Sequence, residues 1–342
     1  MAKNNYIIPI FIPHKGCPHD CVFCNQKRIA GNVLETTSED VENTISEYLK
    51  TLPQGNHHRE VAFYGGSFTG LSLDKQAELL APAYSRIKTG EVKGIRLSTR
   101  PDYISDEILA FLKKYGVTTI ELGVQSTHEE VLALSNRGHH KRHVDVAVEL
   151  VKKFGFSLGL QMMVGLPGDS KERMGQTVKD FIGYQPNFVR IYPTIVIKDT
   201  ALEELYETGQ YIPFRMEECV ELCKTALLSF QEYNIPVIRL GLQSTDEIAY
   251  GKSIVAGPYH PAFREMVETE IYRGLIEAEL EKCGPTSIKA VTIYCNSREA
   301  SKVAGFKQAN KSYFMEKYRL DYIKIKACGE VEGGRVMVKV DK

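Results

Sequence analysis

Three cysteines lie within eight residues near the start of the chain, at Cys17, Cys21 and Cys24 in the run GCPHDCVFCNQ. They follow an apolar stretch, Tyr6 to Pro13, that predicts a strand, so they are expected on the loop after it. Three thiolates at this spacing suit a metal cluster, but a closed site needs a fourth ligand. The pattern therefore predicts a cluster with one open coordination position. A zinc knuckle, or a disulfide pair with a spare thiol, is also compatible with this spacing.

The C-x3-C-x2-C spacing, with Phe23 directly before the last cysteine, resembles the signature of the radical S-adenosylmethionine (radical SAM) superfamily. The resemblance implies that the three thiolates hold a [4Fe-4S] cluster whose unique iron is chelated by the methionine moiety of S-adenosylmethionine. A turn after the second predicted strand, Gly65, Gly66 and Ser67, is similar to the turn whose backbone binds the cofactor's amino group. Glycines there also let the backbone approach a ligand closely.

Four further segments resemble the branch that contains the oxygen-independent coproporphyrinogen enzyme and the catalytic subunit of Elongator: LSTRPDYI, ELGVQS, NRGH and QMMVGLPG. The resemblance implies that Gln125 contacts the cofactor and that Arg137 pairs with the methionine carboxylate through its planar fork. Gln161 matches a place where the coproporphyrinogen enzyme has an acidic ribose ligand. Ser98 departs from the branch, which commonly has a carboxylate touching the ribose there. Either glutamine is also explained as a buried amide that satisfies barrel backbone groups.

The segment VRIYPTIVIKDTALEELYETGQYIPF is similar to the part of the Elongator subunit that follows its sixth strand. The similarity implies that Tyr192 and Lys198 lie on the substrate side of the site, although a solvated surface lysine explains Lys198 equally well. After about Pro285 too few residues remain for the acetyltransferase domain of that subunit. We therefore expect a chain that lacks this domain.

Strand-like runs alternate with amphipathic helical stretches, which indicates βα units around a parallel sheet. We expect an α/β fold, an incomplete (β/α)6 TIM-type barrel, with the motifs at the carboxyl ends of its strands. The expected domains are the barrel at 1–212, a helical extension at 213–285 and a small α+β unit at 286–342. The predicted strands are Ile7–Ile12, Glu60–Tyr64, Gly94–Ser98, Thr119–Gly123, Leu158–Val164 and Phe188–Tyr192. The predicted helices include Ser38–Leu52, Leu73–Ile87, Ser105–Tyr115 and Arg142–Phe154.

The small unit has the predicted order β-α-α-β, with a tight turn at Gly305–Gln308 between its helices. This order looks like a degenerate KH module, in which such a turn clamps a nucleic-acid backbone, although Gln308 replaces the second glycine of that turn. A plain α+β cap with solvated lysines fits equally well. The lysines and arginine that favour nucleic acid are Lys302, Lys307, Lys311, Lys317, Arg319, Lys324 and Lys326.

The 43 basic and 43 acidic residues cancel, so the whole-chain charge predicts no polyanionic partner. Eight cysteines in 342 residues are too few for a disulfide scaffold, and a cluster needs reduced thiols. With no signal peptide or membrane span expected, we predict a cytoplasmic protein.

The expected activity is reductive cleavage of S-adenosylmethionine to a 5′-deoxyadenosyl radical that abstracts hydrogen from a substrate. RNA, specifically a tRNA base, is the favoured substrate, with flavodoxin or ferredoxin as electron donor. The alternatives are a small-molecule or porphyrin-type substrate, or a haem-chaperone-like binding protein.

Overall fold

The computed structural model describes residues 5–12, 21–24, 35–53, 55, 57–242, 249–282 and 288–341. Seven strands form one sheet in the order β1-β2-β3-β4-β5-β6-β8, and each neighbouring pair from β1 to β6 is parallel. Because β1 and β8 are the two edges of this sheet, the barrel is open. The bounds are β1 Asn5–Ile12, β2 His58–Gly65, β3 Gly94–Thr99, β4 Val117–Gln125, β5 Ser157–Val164, β6 Phe188–Pro193 and β8 Val237–Leu240.

Helices connect these strands and confirm the predicted α/β fold. Five of them begin directly after a Ser or Thr whose hydroxyl accepts a backbone N–H of the first turn, namely Thr37, Ser72, Ser105, Ser170 and Thr200. The bounds are α1 Ser38–Thr51, α2 Leu73–Lys88, α3 Asp106–Lys114, α4 Glu129–Leu134, α5 Lys141–Lys153, α6 Lys171–Gly183, α7 Ala201–Glu207, α8 Met216–Glu232 and α9 Phe263–Lys282. Two short strands, β7 Val196–Ile197 and β9 Ile254–Ala256, pair antiparallel.

The sheet has one strand more than the six predicted. The additional strand, β8, is only four residues long and lies in the run IPVIRL, directly after Pro236 and interrupted by Arg239. Such a short run lacks the apolar pattern from which the other six strands were predicted. Those six strands and the four predicted helices are confirmed, with ends that differ by one or two residues.

The sheet packs one apolar face into a core, because alternate residues of each strand point to opposite sides. Residues of this face, such as Ile8, Phe63, Leu97, Leu122 and Ile191, are buried. The other set of alternate positions carries polar and charged side chains, which is unusual for buried strands. Those side chains form part of the candidate site.

Contacts divide the chain into two compact units, the described parts of Met1–Phe214, Ser229–Arg239 and Gln243–Pro258, and those of Arg215–Leu228, Leu240–Leu242 and Tyr259–Lys342. The domain bounds given above stay a prediction. The second unit contains β10 Ala290–Cys295, α10 Ala300–Ala304, α11 Ala309–Tyr318, β11 Tyr322–Ala327 and β12 Val336–Asp341. The central β10 is parallel to β11 and antiparallel to β12, which confirms a small α+β unit.

Among the described residues, none of the helices combines the length and apolar character that a membrane span requires.

Candidate active site

The described part of the cysteine segment, residues 21–24, is fixed to two other segments by backbone hydrogen bonds. The N–H of Val22 donates to the carbonyl of Ser135 at 3.2 Å, and the N–H of Leu202 donates to the carbonyl of Val22 at 2.7 Å. The N–H of Cys24 donates to the carbonyl of Cys21 at 2.9 Å, which closes a turn between the two thiols. Cys17 lies outside the described residues. Two of the three predicted ligands are therefore held together on one turn.

The guanidinium of Arg137 lies against this turn. Its Nη1 is 3.2 Å from Cys21 Sγ, and its Nη2 donates to the carbonyl of Gly123 at the end of β4. Arg100 donates to the backbone carbonyl of Arg137, and its own Nε lies 2.9 Å from Asp102 Oδ1. Arg137 is therefore positioned both through its backbone and through its side chain. The side chain of Arg137 is buried, and its Nε has no hydrogen-bond partner in the part of the chain that the structure describes.

Gln125 lies at the carboxyl end of β4 beside Arg137. Its φ of +71° is unusual for a residue other than glycine, and the register with β5 shifts between Gly123 and Gln125. A Cβ at Gly123 would be 3.1 Å from the Gln125 amide nitrogen and 3.7 Å from Arg137 Nη2, so these groups converge over Gly123. The Oε1 of Gln125 is buried without a partner among the described residues.

The turn after β2 is packed closely against the end of β1. A Cβ on Gly65, whose φ is +106°, would be 2.5 Å from the carbonyl oxygen of Ile12, so this position requires glycine. The N–H of Gly66 donates to the same carbonyl at 3.2 Å. The hydroxyl of Ser67 is 2.8 Å from Thr99 Oγ1 and accepts the N–H of Arg100 at 3.2 Å. Ser67 therefore joins the ends of β2 and β3, and its predicted contact with a cofactor stays a prediction.

His139 is a further buried group at these strand ends, two residues after Arg137. Its side chain is 2% exposed. Burial, followed by the nearby positive charges of Arg137 and Arg100, lowers the pKa of His139 to about 2. The imidazole is therefore neutral at physiological pH, and sequence reasoning did not single it out.

Deeper in the barrel, four ionised side chains from four strands form a buried network around Glu121. Arg190 reaches Glu121 at 2.6 Å, and Arg96 reaches Glu121 at 3.2 Å and Glu60 at 2.7 Å. Arg190 also donates to the Tyr64 hydroxyl at 3.1 Å. Burial, followed by the Glu121 carboxylate, raises the pKa of Tyr64 to about 12. Sequence reasoning missed this network, although Arg96, Glu121 and Arg190 each interrupt an apolar strand.

Three predicted site residues border this network. The Gln161 amide donates to Glu121 at 3.1 Å and to Ser98 Oγ at 3.3 Å, so β3, β4 and β5 are joined here. Burial raises the pKa of Tyr192, and the neighbouring Arg190 guanidinium opposes that rise. Ser98, Gln161 and Tyr192 thus belong to one polar surface.

Phe23 and the strand before Lys198 belong to an apolar cluster. Phe23 packs with Val196, Leu202 and Tyr211, and the Tyr211 hydroxyl donates to the carbonyl of Gly165 at 2.6 Å. The backbone N–H of Lys198 donates to the carbonyl of Ser253 at 2.9 Å. The cluster therefore holds the segment from β7 to α7 against the cysteine loop.

Two family models match this chain, the radical SAM superfamily over residues 11–181 and the radical SAM C-terminal domain over residues 186–273. The first of these covers half of the chain. The chain belongs to the radical SAM superfamily. Members of this superfamily bind a [4Fe-4S] cluster and S-adenosylmethionine, so these are the cofactors of the site.

Among curated relatives, this radical SAM protein is 27% identical over 259 residues to a tRNA uridine(34) acetyltransferase of Methanocaldococcus infernus, covering 64% of this chain and 48% of the relative. It is 36% identical over 145 residues to human Elongator complex protein 3, covering 42% of this chain and 26% of the relative. The chain thus spans about half the length, or less, of these relatives.

Among solved structures, the archaeal Elp3 of Methanocaldococcus infernus with an N-terminal deletion matches with a TM-score of 0.64 and 23% identity, covering 80% of this chain and 64% of that one. At this identity the match shows the fold alone, and it confirms the predicted incomplete barrel.

The residues described around Cys21 fit the amino-acid end of S-adenosylmethionine. That end is a zwitterion, so it needs a hydrogen-bond donor for its carboxylate and an acceptor for its ammonium group. Arg137 Nε is a buried donor and Gln125 Oε1 a buried acceptor, and both lack a partner among the described residues. Buried polar atoms normally have a partner, so a ligand with complementary charges accounts for both.

Proposed function

We propose that this radical SAM protein cleaves S-adenosylmethionine reductively and uses the product to abstract hydrogen from an RNA base held at the mouth of the barrel. The observation that carries the proposal is the convergence of Arg137 and Gln125 beside the Cys21 thiol. When bound, the reduced cluster and S-adenosylmethionine supply the 5′-deoxyadenosyl radical. The protein supplies orientation and the exclusion of water.

The cluster and the amino-acid end of the cofactor are held by different residues in this proposal. Cys17, Cys21 and Cys24 hold the cluster, while Arg137 binds the methionine carboxylate and Gln125 accepts from the methionine ammonium group. Gly65 allows the turn after β2 to lie against β1, which fixes the backbone groups that face the ligand.

The remaining predicted residues line the cavity between cofactor and substrate. Ser98 and Gln161, already bonded to each other, contact the ribose of the cofactor. Tyr192 faces the substrate from the wall that Glu121 and Arg190 support. Lys198 lies on the segment that packs against Phe23, where a cation would meet an anionic substrate group.

Two observations favour RNA over a porphyrin-type or other small-molecule substrate. The first relatives include a protein named for its action on a tRNA uridine. In addition, Arg96 and Arg190 are both paired with carboxylates, so these two cations are not available for the acid groups of a tetrapyrrole. A base with polar edges suits a wall of hydroxyl, amide and paired charges better than an apolar ring does.

The test compares tRNA nucleosides by mass spectrometry from cells with and without the protein, followed by anaerobic reaction of the purified protein with tRNA from the deficient cells. We expect one nucleoside to be missing from the deficient cells and to be restored by wild-type protein, but not by Cys21→Ala. Identical nucleoside profiles, with 5′-deoxyadenosine formation unaffected by tRNA, would contradict the RNA substrate. A flavodoxin or ferredoxin donor and a cytoplasmic location remain predictions from the sequence.

A further inference from the structure

The three-stranded sheet of the C-terminal unit has one packed face and one open face. Its packed face consists of alternate residues of the three strands, which contact the apolar core of this unit. They are Val291, Ile293, Cys295, Ile323, Ile325, Val336, Val338 and Val340. Because side chains alternate along a strand, the residues between them form the other face, which is exposed on the outer strands β11 and β12 and where Thr292 of the central strand is buried. We call it the open face.

The open face combines aromatic and cationic side chains in register. Lys324 and Lys339 flank Thr292 on either side, and Lys326 and Met337 flank Tyr294 in the same way. Tyr322, which is 41% exposed, occupies the next row along β11, and Lys324 Nζ lies 4.8 Å from the centre of its ring. We call these seven residues the sheet platform.

Two of the lysines near the helices have charge partners, whereas Lys307 and Lys311, like the lysines of the sheet platform, have no ion pair among the described residues. Lys302 pairs with Glu268 at 3.2 Å and Lys317 with Glu277 at 2.7 Å. Lys324, Lys326 and Lys339 have no ion pair among the described residues, and they are exposed. At the end of β12, Asp341 pairs in register with Ala290. The sheet platform is therefore a basic surface to which an anionic partner can bind.

The turn at Gly305–Gln308, by contrast, makes close contacts with other residues of the same unit. A Cβ on Gly305 would be 2.9 Å from the backbone nitrogen of Asn310 and 2.9 Å from Thr269 Cγ2. The N–H of Phe306 donates to Thr269 Oγ1 at 2.8 Å, and the N–H of Gln308 donates to the carbonyl of Gly305 at 2.9 Å. The glycine and two of the N–H groups thus serve internal contacts, which leaves less of the turn for a phosphate.

We infer that the sheet platform binds single-stranded RNA, with bases stacked on Tyr322 and Tyr294 and phosphates paired with Lys324, Lys326 and Lys339. Exposed aromatic rings on a sheet stack unpaired bases without a sequence requirement, while lysines neutralise the backbone. Two or three nucleotides suit a surface of this width. The inference rests on the proposed RNA substrate and adds a second contact, distinct from the barrel, through which that substrate is held.

The test is fluorescence anisotropy of the full-length protein with a labelled single-stranded oligouridylate at several salt concentrations. The double variant Lys324→Glu/Lys339→Glu is compared with Lys307→Glu/Lys311→Glu, which makes the same charge change at the turn and the following helix. We expect the platform variant to bind more weakly and to flatten the log–log salt slope by about 1.4, from about 0.7 per phosphate contact. The turn variant should change both quantities much less.

A second pair of variants separates stacking from charge. Tyr322→Ala should weaken binding by about 5- to 150-fold through the loss of one stacked base, whereas Tyr322→Phe should bind like wild type. The side chains of Tyr322, Lys324 and Lys339 are exposed, so thermal unfolding should be unchanged in the platform and Tyr322 variants. Annealing the strand to its complement should reduce the affinity.

Three outcomes would overturn the inference. The first is wild-type affinity in the platform variant together with a loss in the turn variant. The second is equal displacement of the RNA by polyglutamate, which carries charge but no bases and would indicate an acidic protein partner. The third is no binding of single-stranded RNA by wild type. If the tRNA nucleoside experiment succeeds while these binding results fail, the platform alone is wrong and the proposed RNA substrate stands.

Discussion

Two groups of buried polar side chains in the barrel differ in how completely they are paired. In the network around Glu121, the Glu121 carboxylate is shared between Arg96 and Arg190, and Arg96 also pairs with Glu60. At the strand ends, Arg137 Nε and Gln125 Oε1 are buried without partners in the described part of the chain. The paired network around Glu121 therefore supports the barrel, whereas the unpaired atoms of Arg137 and Gln125 indicate a site where a ligand binds.

The largest effect is expected from breaking the paired network. Glu121→Ala leaves Arg96 and Arg190 buried without their shared carboxylate, which should lower the free energy of unfolding by about 3 to 5 kcal/mol. Chemical denaturation of the cofactor-free protein measures this change. The matched control is Glu130→Ala, which removes an exposed pair with Arg173 and should cost at most about 1 kcal/mol. Equal losses in the two variants would show that the network does not support the barrel.

A smaller effect is expected at the strand ends, and it should appear in ligand affinity. Arg137→Ala should weaken S-adenosylmethionine binding by about 1.5 to 3 kcal/mol, the worth of a charge-assisted hydrogen bond, with normal iron content. Arg137→Lys should not restore full affinity, because an ammonium lacks the planar fork. Equilibrium binding to the reconstituted protein provides the measurement, and Arg173→Ala is the control. Unchanged affinity in Arg137→Ala would assign this residue a structural role.

Features that depend on residues close together in the sequence could be predicted, whereas contacts between distant segments could not. The six long strands were predicted because their apolar alternation is local, and the cysteine turn because its spacing is local. The network around Glu121 was missed because its members come from different strands, although Arg96, Glu121 and Arg190 each interrupt an apolar strand and Glu60 directly precedes the apolar run of β2. A charged residue at such positions is the signal that would have found it.

The same limit applies to individual glycines and hydroxyls. The Gly65–Gly66 turn was predicted to approach a ligand, yet the contact that requires glycine at Gly65 is the carbonyl of Ile12. Ser67 was predicted as a cofactor contact, and its hydroxyl bonds to Thr99 and to the N–H of Arg100. Both contacts depend on how neighbouring strands pack, which a single sequence does not specify.

The stability of the protein should decrease at acid pH because of the buried His139. The pKa of His139 is about 2 in the folded protein and about 6.5 when unfolded, so the unfolded state takes up the proton first as the pH falls. The stability is fully present above about pH 6.5 and should fall by up to about 1.4 kcal/mol per pH unit below it. Denaturation of wild type and His139→Gln between pH 7 and pH 5 measures the difference. Parallel pH profiles of the two proteins would contradict the buried neutral imidazole.

The smallest effect is expected at Gln125. Since its Oε1 has no partner among the described residues, Gln125→Ala should leave the stability of the cofactor-free protein nearly unchanged while weakening S-adenosylmethionine binding by about 0.5 to 1.5 kcal/mol. Denaturation and equilibrium binding on the same preparation separate the two quantities, with the exposed Gln176→Ala as control. A large loss of stability with unchanged affinity would place Gln125 among the supporting residues.

The central claim is that the strand-end site around Cys21 holds the cluster and S-adenosylmethionine, and its most direct test is iron content and 5′-deoxyadenosine formation after anaerobic reconstitution. With dithionite and S-adenosylmethionine, wild type should carry about four iron per chain and form 5′-deoxyadenosine. Replacing Cys17, Cys21 and Cys24 with Ala should abolish both, whereas Cys219→Ala, at a buried position on α8, should abolish neither. A triple variant that keeps its iron and still forms 5′-deoxyadenosine would contradict the account.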